Sequence, residues 1–154
     1  MRKAICTCLV LLCCLVVNGQ GSGLAAKIAA IHGTYKHFVP CGDCTGVETT
    51  ITLDCDGPCN TGSYSLREES VNSINGDKSA ESTGTWSISD TLAEPGETAL
   101  IISLSDRDLK ENTRDFFLFK EGNLEQLDKL KRRVSPPFNL VLKKLDSNAI
   151  LDLR

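Results

Sequence analysis

Four cysteines crowd one short stretch, "VPCGDCTGVETTITLDCDGPCN": Cys41 and Cys44 in a C-x-x-C, Cys55 and Cys59 in a C-x-x-x-C. Three chemistries suit such a set. Thiolates are soft ligands for copper or zinc, and two closely spaced pairs could join in a four-sulfur site. Met1 is the only methionine, so there is no methionine cluster for Cu(I), and His32 and His37 are the only histidines. His37, four residues before Cys41, reads as a structural or solvated strand residue rather than a ligand. Thiol–disulfide catalysis usually places the C-x-x-C at a helix N-terminus, where the dipole lowers a thiol pKa. Here Thr45-Gly46-Val47 and a strand pattern follow Cys44, which argues against an oxidoreductase. The third chemistry is structural: disulfides that hold two loops, with local or crossed connectivity that spacing does not decide. An exposed C-x-x-C disulfide is readily reduced, so a resting disulfide at Cys41 and Cys44 can release two thiolates for metal. Cys55 and Cys59 bracket Asp56-Gly57-Pro58 and read as a staple on a turn. Asp43 and Glu48, beside the C-x-x-C, offer carboxylates that could tune it or bind a cation, with solvated surface residues the favoured reading, and Asp54 and Asp56 read as turn residues.

Compartment decides among these readings. Met1-Arg2-Lys3 is a basic start, Ala4 to Val17 is apolar apart from Thr7, and Val17-Asn18-Gly19 has the form of a cleavage site. The run is shorter than the ~20 residues of a membrane span and matches a secretory signal peptide over residues 1–19. Cleavage after Gly19 would leave Gln20 first. The alternative is a lipoprotein cut before Cys14, with Leu11 three positions upstream and the lipid on Cys14. Four cysteines fall in the leader, and the remaining four are an even number in an oxidising compartment, which favours disulfides. The expected location is the periplasm or the outer-membrane-anchored envelope. Loss of Arg2 and Lys3 moves the net charge from −3 to −5, which disfavours nucleic acid, whose binding depends on cationic neutralisation of phosphate. There is no phosphate-binding glycine loop, G-x-S-x-G or His-Glu-x-x-His, so no enzyme is expected.

The elements that position the cysteines are strands. Gln20 to Gly23 reads as a tether, and Leu24 to Ile31 as a helical turn or two within residues 20–32. Isolated helices of that length are marginal in water. From Gly33 the period shortens. Gly33–His37, Val47–Leu53, Ser63–Leu66, Ser82–Ser89, Ala99–Leu104, Phe116–Phe119, Leu124–Leu127 and Phe138–Leu142 are short and bounded by Gly, Asn, Asp or Pro. Turn clusters at Asp56-Gly57-Pro58, Asn75-Gly76-Asp77, Pro95-Gly96 and Glu121-Gly122-Asn123 leave no room for crossover helices, so neighbours should pair antiparallel. An all-β fold follows: a small up-and-down barrel of about eight strands over residues 33–145, with a tail at 146–154. Tyr35, Trp86 and Phe138 read as core residues, and Lys129 to Arg133 as a solvated basic loop.

The stretches "GTYKHFVPCGDCTGVETTITL", "GSYSLREE", "STGTWSIS", "FFLFKEGNLEQLDK" and "FNLVLKK" together resemble the N-terminal domain of the copper-resistance lipoprotein NlpE family. The resemblance runs from Gly33 to Lys144, and Pro40-Cys41-x-x-Cys44-x-Gly46-x-Glu48-Thr-Thr is its most specific part. It implies a lipocalin-like barrel in an envelope protein linked to copper tolerance and envelope-stress signalling. Copper at Cys41 and Cys44 is the cofactor it suggests. An envelope stress sensor or the outer membrane is the suggested partner. The longer members carry a second, OB-like domain, for which this chain has no room, and they have a plain hairpin turn where Cys55 and Cys59 stand here. A rival reading is a carrier holding a small apolar ligand inside the barrel.

Overall fold

The alternation predicted for the strands appears as a closed barrel. The computed structural model describes residues 20–55, 57–94, 97–106, 114–135 and 140–145. Helix α1 (Gln20–Ile31) precedes β1 (Gly33–Val39), β2 (Gly46–Cys55), β3 (Thr61–Val71), β4 (Ser79–Glu94), β5 (Glu97–Asp106), β6 (Arg114–Lys120), β7 (Asn123–Leu127) and β8 (Val141–Lys144). Each strand pairs antiparallel with the next, and β1 closes on β8 through Tyr35↔Lys144 and Lys36↔Lys143. Full closure removes every sheet edge. The fold is therefore the expected all-β, up-and-down, eight-stranded barrel. The leader with Cys14, Asp56, Pro95-Gly96, Phe138 and the tail at 146–154 lie outside the described residues.

Because side chains alternate across a strand, one parity points inward. Tyr35, Ile51, Leu53, Trp86, Leu100, Ile102, Phe117, Phe119, Leu124 and Leu142 fill the interior and are almost fully buried. Trp86 sits opposite Gly62, and its Nε1 donates to Asp54 O at 2.7 Å. Gly62 is required there: a Cβ would lie 1.9 Å from Asp54 O and 2.8 Å from Trp86 Nε1.

The segment read as tether plus short helical turns is one continuous twelve-residue helix. Gly21 and Gly23 give it poor intrinsic propensity, so tertiary contact must hold it. Two isoleucines make that contact: Ile31 is fully buried in the barrel core and Ile28 packs against the same cluster. The helix closes the barrel end where β1 starts and β2 finishes. Lys27 Nζ donates to Thr98 O at 2.9 Å, Tyr35 OH donates to Ile31 O, and Lys144 Nζ donates to Ala30 O at 2.5 Å while lying 5.7 Å from the Tyr35 ring centre. Burial raises the Tyr35 phenol well above its usual value and lowers the Lys144 ammonium.

Those shifts set an alkaline limit. An unfolded tyrosine ionises near pH 10, whereas buried Tyr35 stays protonated, so above that pH the unfolded state binds fewer protons and stability falls. The slope is up to about 1.4 kcal/mol per pH unit for one such group. Tyr64, also raised chiefly by desolvation, adds in the same direction. Lys144 acts oppositely, since its cost is relieved as pH rises toward the unfolded lysine value. Urea unfolding at pH 8 and pH 11 should show a marked loss, and Tyr35→Phe should make the loss smaller. Equal pH dependence in the two proteins would contradict the assignment.

A second, smaller core lies outside the barrel. Ala99, Ile101, Leu118 and Leu127 are buried with Leu92 and Phe116 around them. The segment after β7 turns back over this face: Leu127 bridges to Arg133, Asp128 N donates to Arg132 O at 2.8 Å, and Lys131 Nζ sits 5.2 Å from the Phe116 ring centre. The basic run Lys129 to Arg133 is mostly exposed, as read from sequence, and its cationic side chains are engaged in surface ion pairs. Lys129 pairs with Asp115 at 2.8 Å, Lys131 with Asp90 at 3.7 Å, Arg132 with Asp128 at 2.8 Å and Arg133 with Glu125 at 3.4 Å. The backbone N–H of Arg132, first among several donors, holds the Asp128 carboxyl below its usual range.

Candidate metal and redox site

The two cysteine pairs occupy opposite ends of the barrel. Strand β2 begins at Gly46, just after Cys44, and ends at Cys55. Ten extended residues span roughly 30 Å, so a shared four-sulfur site is ruled out by the register. Each pair is closed locally, Cys41 to Cys44 with Cα atoms 5.4 Å apart and Cys55 to Cys59 with Cα atoms 4.9 Å apart.

Their surroundings differ. Cys55 and Cys59 pack against the main core, beside the end that α1 covers. Cys59 has φ 55°, an unusual conformation for a non-glycine residue. Ala25, Ile28 and Ala29 of α1 face Gly57, Pro58 and Cys59 across a shallow cleft. This disulfide therefore sits among structural contacts.

Cys41 and Cys44 stand at the open rim, in the loop from β1 to β2. Phe38, Val39 and the tip residue Ile74 are exposed hydrophobics there, with Ile74 84% exposed. The Phe38 ring packs on Gly46, where a Cβ would lie 2.2 Å from Cζ. The loop is held from the side by the β3–β4 turn. Thr45 N donates to Val71 O at 2.9 Å, Ile74 N to Asp43 O at 3.1 Å and Asn72 Nδ2 to Thr45 Oγ1 at 3.3 Å. Cys44 Sγ lies 3.2 Å from Gly46 O.

Asp43, exposed as expected of a solvated carboxylate, lies beside the pair. One carboxylate oxygen and the two sulfurs all lie within 4.8 Å of one another. Glu48 does not join them, because it pairs with Lys36 at 2.7 Å on the outer wall. His37 is committed elsewhere too, its Nδ1 donating to Val141 O at 2.7 Å across the β1–β8 seam. Nothing in the spacing distinguished Asp43 from Glu48; the fold of the loop does. In the disulfide state the donor set suits no soft metal, since the thiolate is the binding form. Opened by reduction, it offers two sulfurs and one oxygen.

The barrel interior is filled by Trp86, Tyr35 and their neighbours. Clefts beside α1 are lined on one side by Ala26, Lys27, Ala30, Phe119, Glu121 and Gly122, and lie at the surface rather than inside.

Among comparisons with known proteins, the family model described as the NlpE N-terminal domain matches residues 35–136, well over half of the chain. No curated protein matches. The crystal structure of the Cpx pathway activator NlpE from Escherichia coli is similar at 24% identity, covering 75% of this chain and 51% of that one, with a TM-score of 0.46. This chain therefore spans about half the length of that protein. The crystal structure of a putative lipoprotein from Shewanella oneidensis is similar at 22% identity, covering 74% of this chain and 88% of that one, with a TM-score of 0.45.

Proposed function

The chain belongs to the NlpE N-terminal domain family, and from that premise we propose that it is an exported, non-enzymatic envelope protein that responds to copper or thiol stress through Cys41 and Cys44. The observation that carries the reading is the contrast between the two pairs. Both pairs lie in the family-matched segment, but Cys41 and Cys44 stand at an open rim away from the packed core, whereas Cys55 and Cys59 are partly buried and pack against it. A pair that must open and close belongs where opening disturbs little packing. The N-terminal sequence supports export, by cleavage after Gly19 or by lipidation at Cys14. The barrel domain is taken as residues 33–145. An envelope stress sensor, or the outer membrane, is the proposed partner.

In this reading the oxidised protein rests with the disulfide closed. Reduction adds two electrons and two protons and yields two thiols, and Cu(I) then displaces the protons. The soft sulfurs suit Cu(I). Titration of Cu(I) into the exported protein, before and after reduction, should show binding only after reduction. Equal affinity in both states would sink the proposal, and so would unchanged copper and thiol-stress tolerance in a deletion strain.

A further inference from the structure

We infer that Asp43 is the third protein donor of the reduced rim site and that it biases the site toward divalent transition ions of borderline softness, with one coordination position left open. The inference deepens the proposed function and rests on its reading of Cys41 and Cys44 as a metal-capturing pair.

The geometry is already close to what such an ion requires. Around a tetrahedral ion with sulfur at about 2.3 Å and carboxylate oxygen at about 2.1 Å, neighbouring donor atoms stand about 3.5–3.8 Å apart. The three donors here lie within 4.8 Å of one another while the disulfide is still closed. Breaking the S–S bond and letting the sulfurs move apart is the main adjustment left. The carboxylate does not need to be recruited from a distant element. Its residue is fixed by the β3–β4 turn through Ile74 N and Asp43 O, 3.1 Å apart, and the following residue is fixed through Thr45 N and Val71 O, 2.9 Å apart. A donor held by an element outside the chelating loop lowers the ordering cost of binding.

Asp43 separates the two classes of ion on two grounds. Cu(I) is soft and is satisfied by thiolates, so an added carboxylate oxygen contributes little to it. Zinc-like ions accept cysteine sulfur and aspartate oxygen together. The charge argument runs the same way, because a fixed negative group attracts a doubly charged ion about twice as strongly as a singly charged one at the same distance. Asp43 is exposed and the loop stands at the rim, so the fourth position faces water. Three protein donors with an open position differ from the closed four-ligand sets of purely structural zinc sites.

The test uses Co2+ as a coloured probe and Zn2+ as its competitor, on the exported protein reduced anaerobically with a phosphine. The phosphine takes oxygen from water, becomes the phosphine oxide and leaves two thiols per disulfide opened; the divalent ion then expels the thiol protons. A Cys41→Ser/Cys44→Ser variant supplies the background from the other cysteines. Wild-type protein should develop thiolate-to-cobalt absorption in the near ultraviolet and visible bands of tetrahedral cobalt. Asp43→Asn should bind Co2+ and Zn2+ about tenfold or more weakly, which is the scale reached by losing even an outer-sphere partner, while its Cu(I) affinity stays unchanged. Asp43→Asn binding both divalent ions as tightly as wild type would overturn the inference, and so would wild-type protein that binds no divalent ion. The proposed function fails separately, if the reduced wild type takes up no Cu(I).

Discussion

Replacing Trp86 by alanine is expected to remove about 3–5 kcal/mol of folding stability. Two losses combine. The indole is 1% exposed and fills the barrel between Gly62 of β3 and Leu104 of β5, the partners of Trp86 in the two flanking registers. Barrel walls are cross-linked by hydrogen bonds on every side, so the cavity left behind collapses only partly. The second loss is polar: Asp54 O, which accepts from Nε1 at 2.7 Å, loses its side-chain donor. Trp86→Phe keeps much of the ring volume and should cost less, chiefly the hydrogen bond at about 1 kcal/mol and part of the packing. Small domains are stable by only about 5–15 kcal/mol, so the alanine variant should be far closer to unfolding at room temperature. Urea denaturation followed by far-ultraviolet circular dichroism is the suitable measurement, because Trp86 is the only tryptophan and its fluorescence disappears with it. A loss of only about 0.5 kcal/mol, the level of ordinary surface substitutions, would show that Trp86 is not part of the central core.

The barrel was legible in the sequence because its information is local. Alternation at Trp86 and Ile88, the β-branched run before Leu53 and the glycine-rich turns each report on strands without knowledge of the rest. What local patterns underestimate is extent. β3 runs Thr61–Val71 and β4 Ser79–Glu94, well beyond Ser63–Leu66 and Ser82–Ser89, because charged residues such as Arg67, Glu69 and Glu81 face outward on a barrel wall and do not interrupt it. Helix α1 was the weakest reading for the opposite reason. Its stability comes from Ile28 and Ile31 entering the core, a contact no window of Gln20–Ile31 contains. The continuous apolar runs of β5 and β6 did hold a clue. Ala99, Ile101 and Leu118 are apolar at outward positions, which alternation leaves polar on a solvated wall, and they are buried together with Leu127, Leu92 and Phe116.

The site was legible in part. The cysteine types and spacings named the chemistry, but a carboxylate two residues from one cysteine and one residue from another has no preferred direction until the loop is folded. Asp43 has a carboxylate oxygen within 4.8 Å of both sulfurs, and its backbone oxygen accepts from Ile74 N, thirty-one positions later in the chain. Glu48 lies one strand position too far along and meets Lys36 instead. The possible union of the two cysteine pairs was open in the sequence for the same reason. Only the register of β2 places them at opposite ends.

That separation sharpens the assignment of roles into an expected result: Cys41→Ser or Cys44→Ser should abolish Cu(I) capture by the reduced protein, while Cys55→Ser/Cys59→Ser together should leave capture intact and lower stability. One thiolate cannot chelate, and the loss of either rim sulfur leaves a single soft donor beside a hard carboxylate that contributes little to Cu(I). The affinity change should therefore exceed a hundredfold, beyond the 10- to 100-fold that outer-sphere changes bring about. At the other end, the disulfide closes a loop of only a few residues, and the chain-entropy relation gives about 2 kcal/mol for so short a ring. Two serine hydroxyls next to the core add a desolvation cost to that figure. Removing the rim disulfide deletes a ring of nearly the same size but leaves its serines at the open rim, so its stability cost should be the smaller of the two. Chelator-competition titration with Cu(I), read alongside urea midpoints of the oxidised proteins, resolves both halves. The assignment is reversed if the Cys55 and Cys59 changes remove binding while Cys41→Ser retains it, because the reactive pair would then be the one packed against the core and α1 would have to move for the metal to enter.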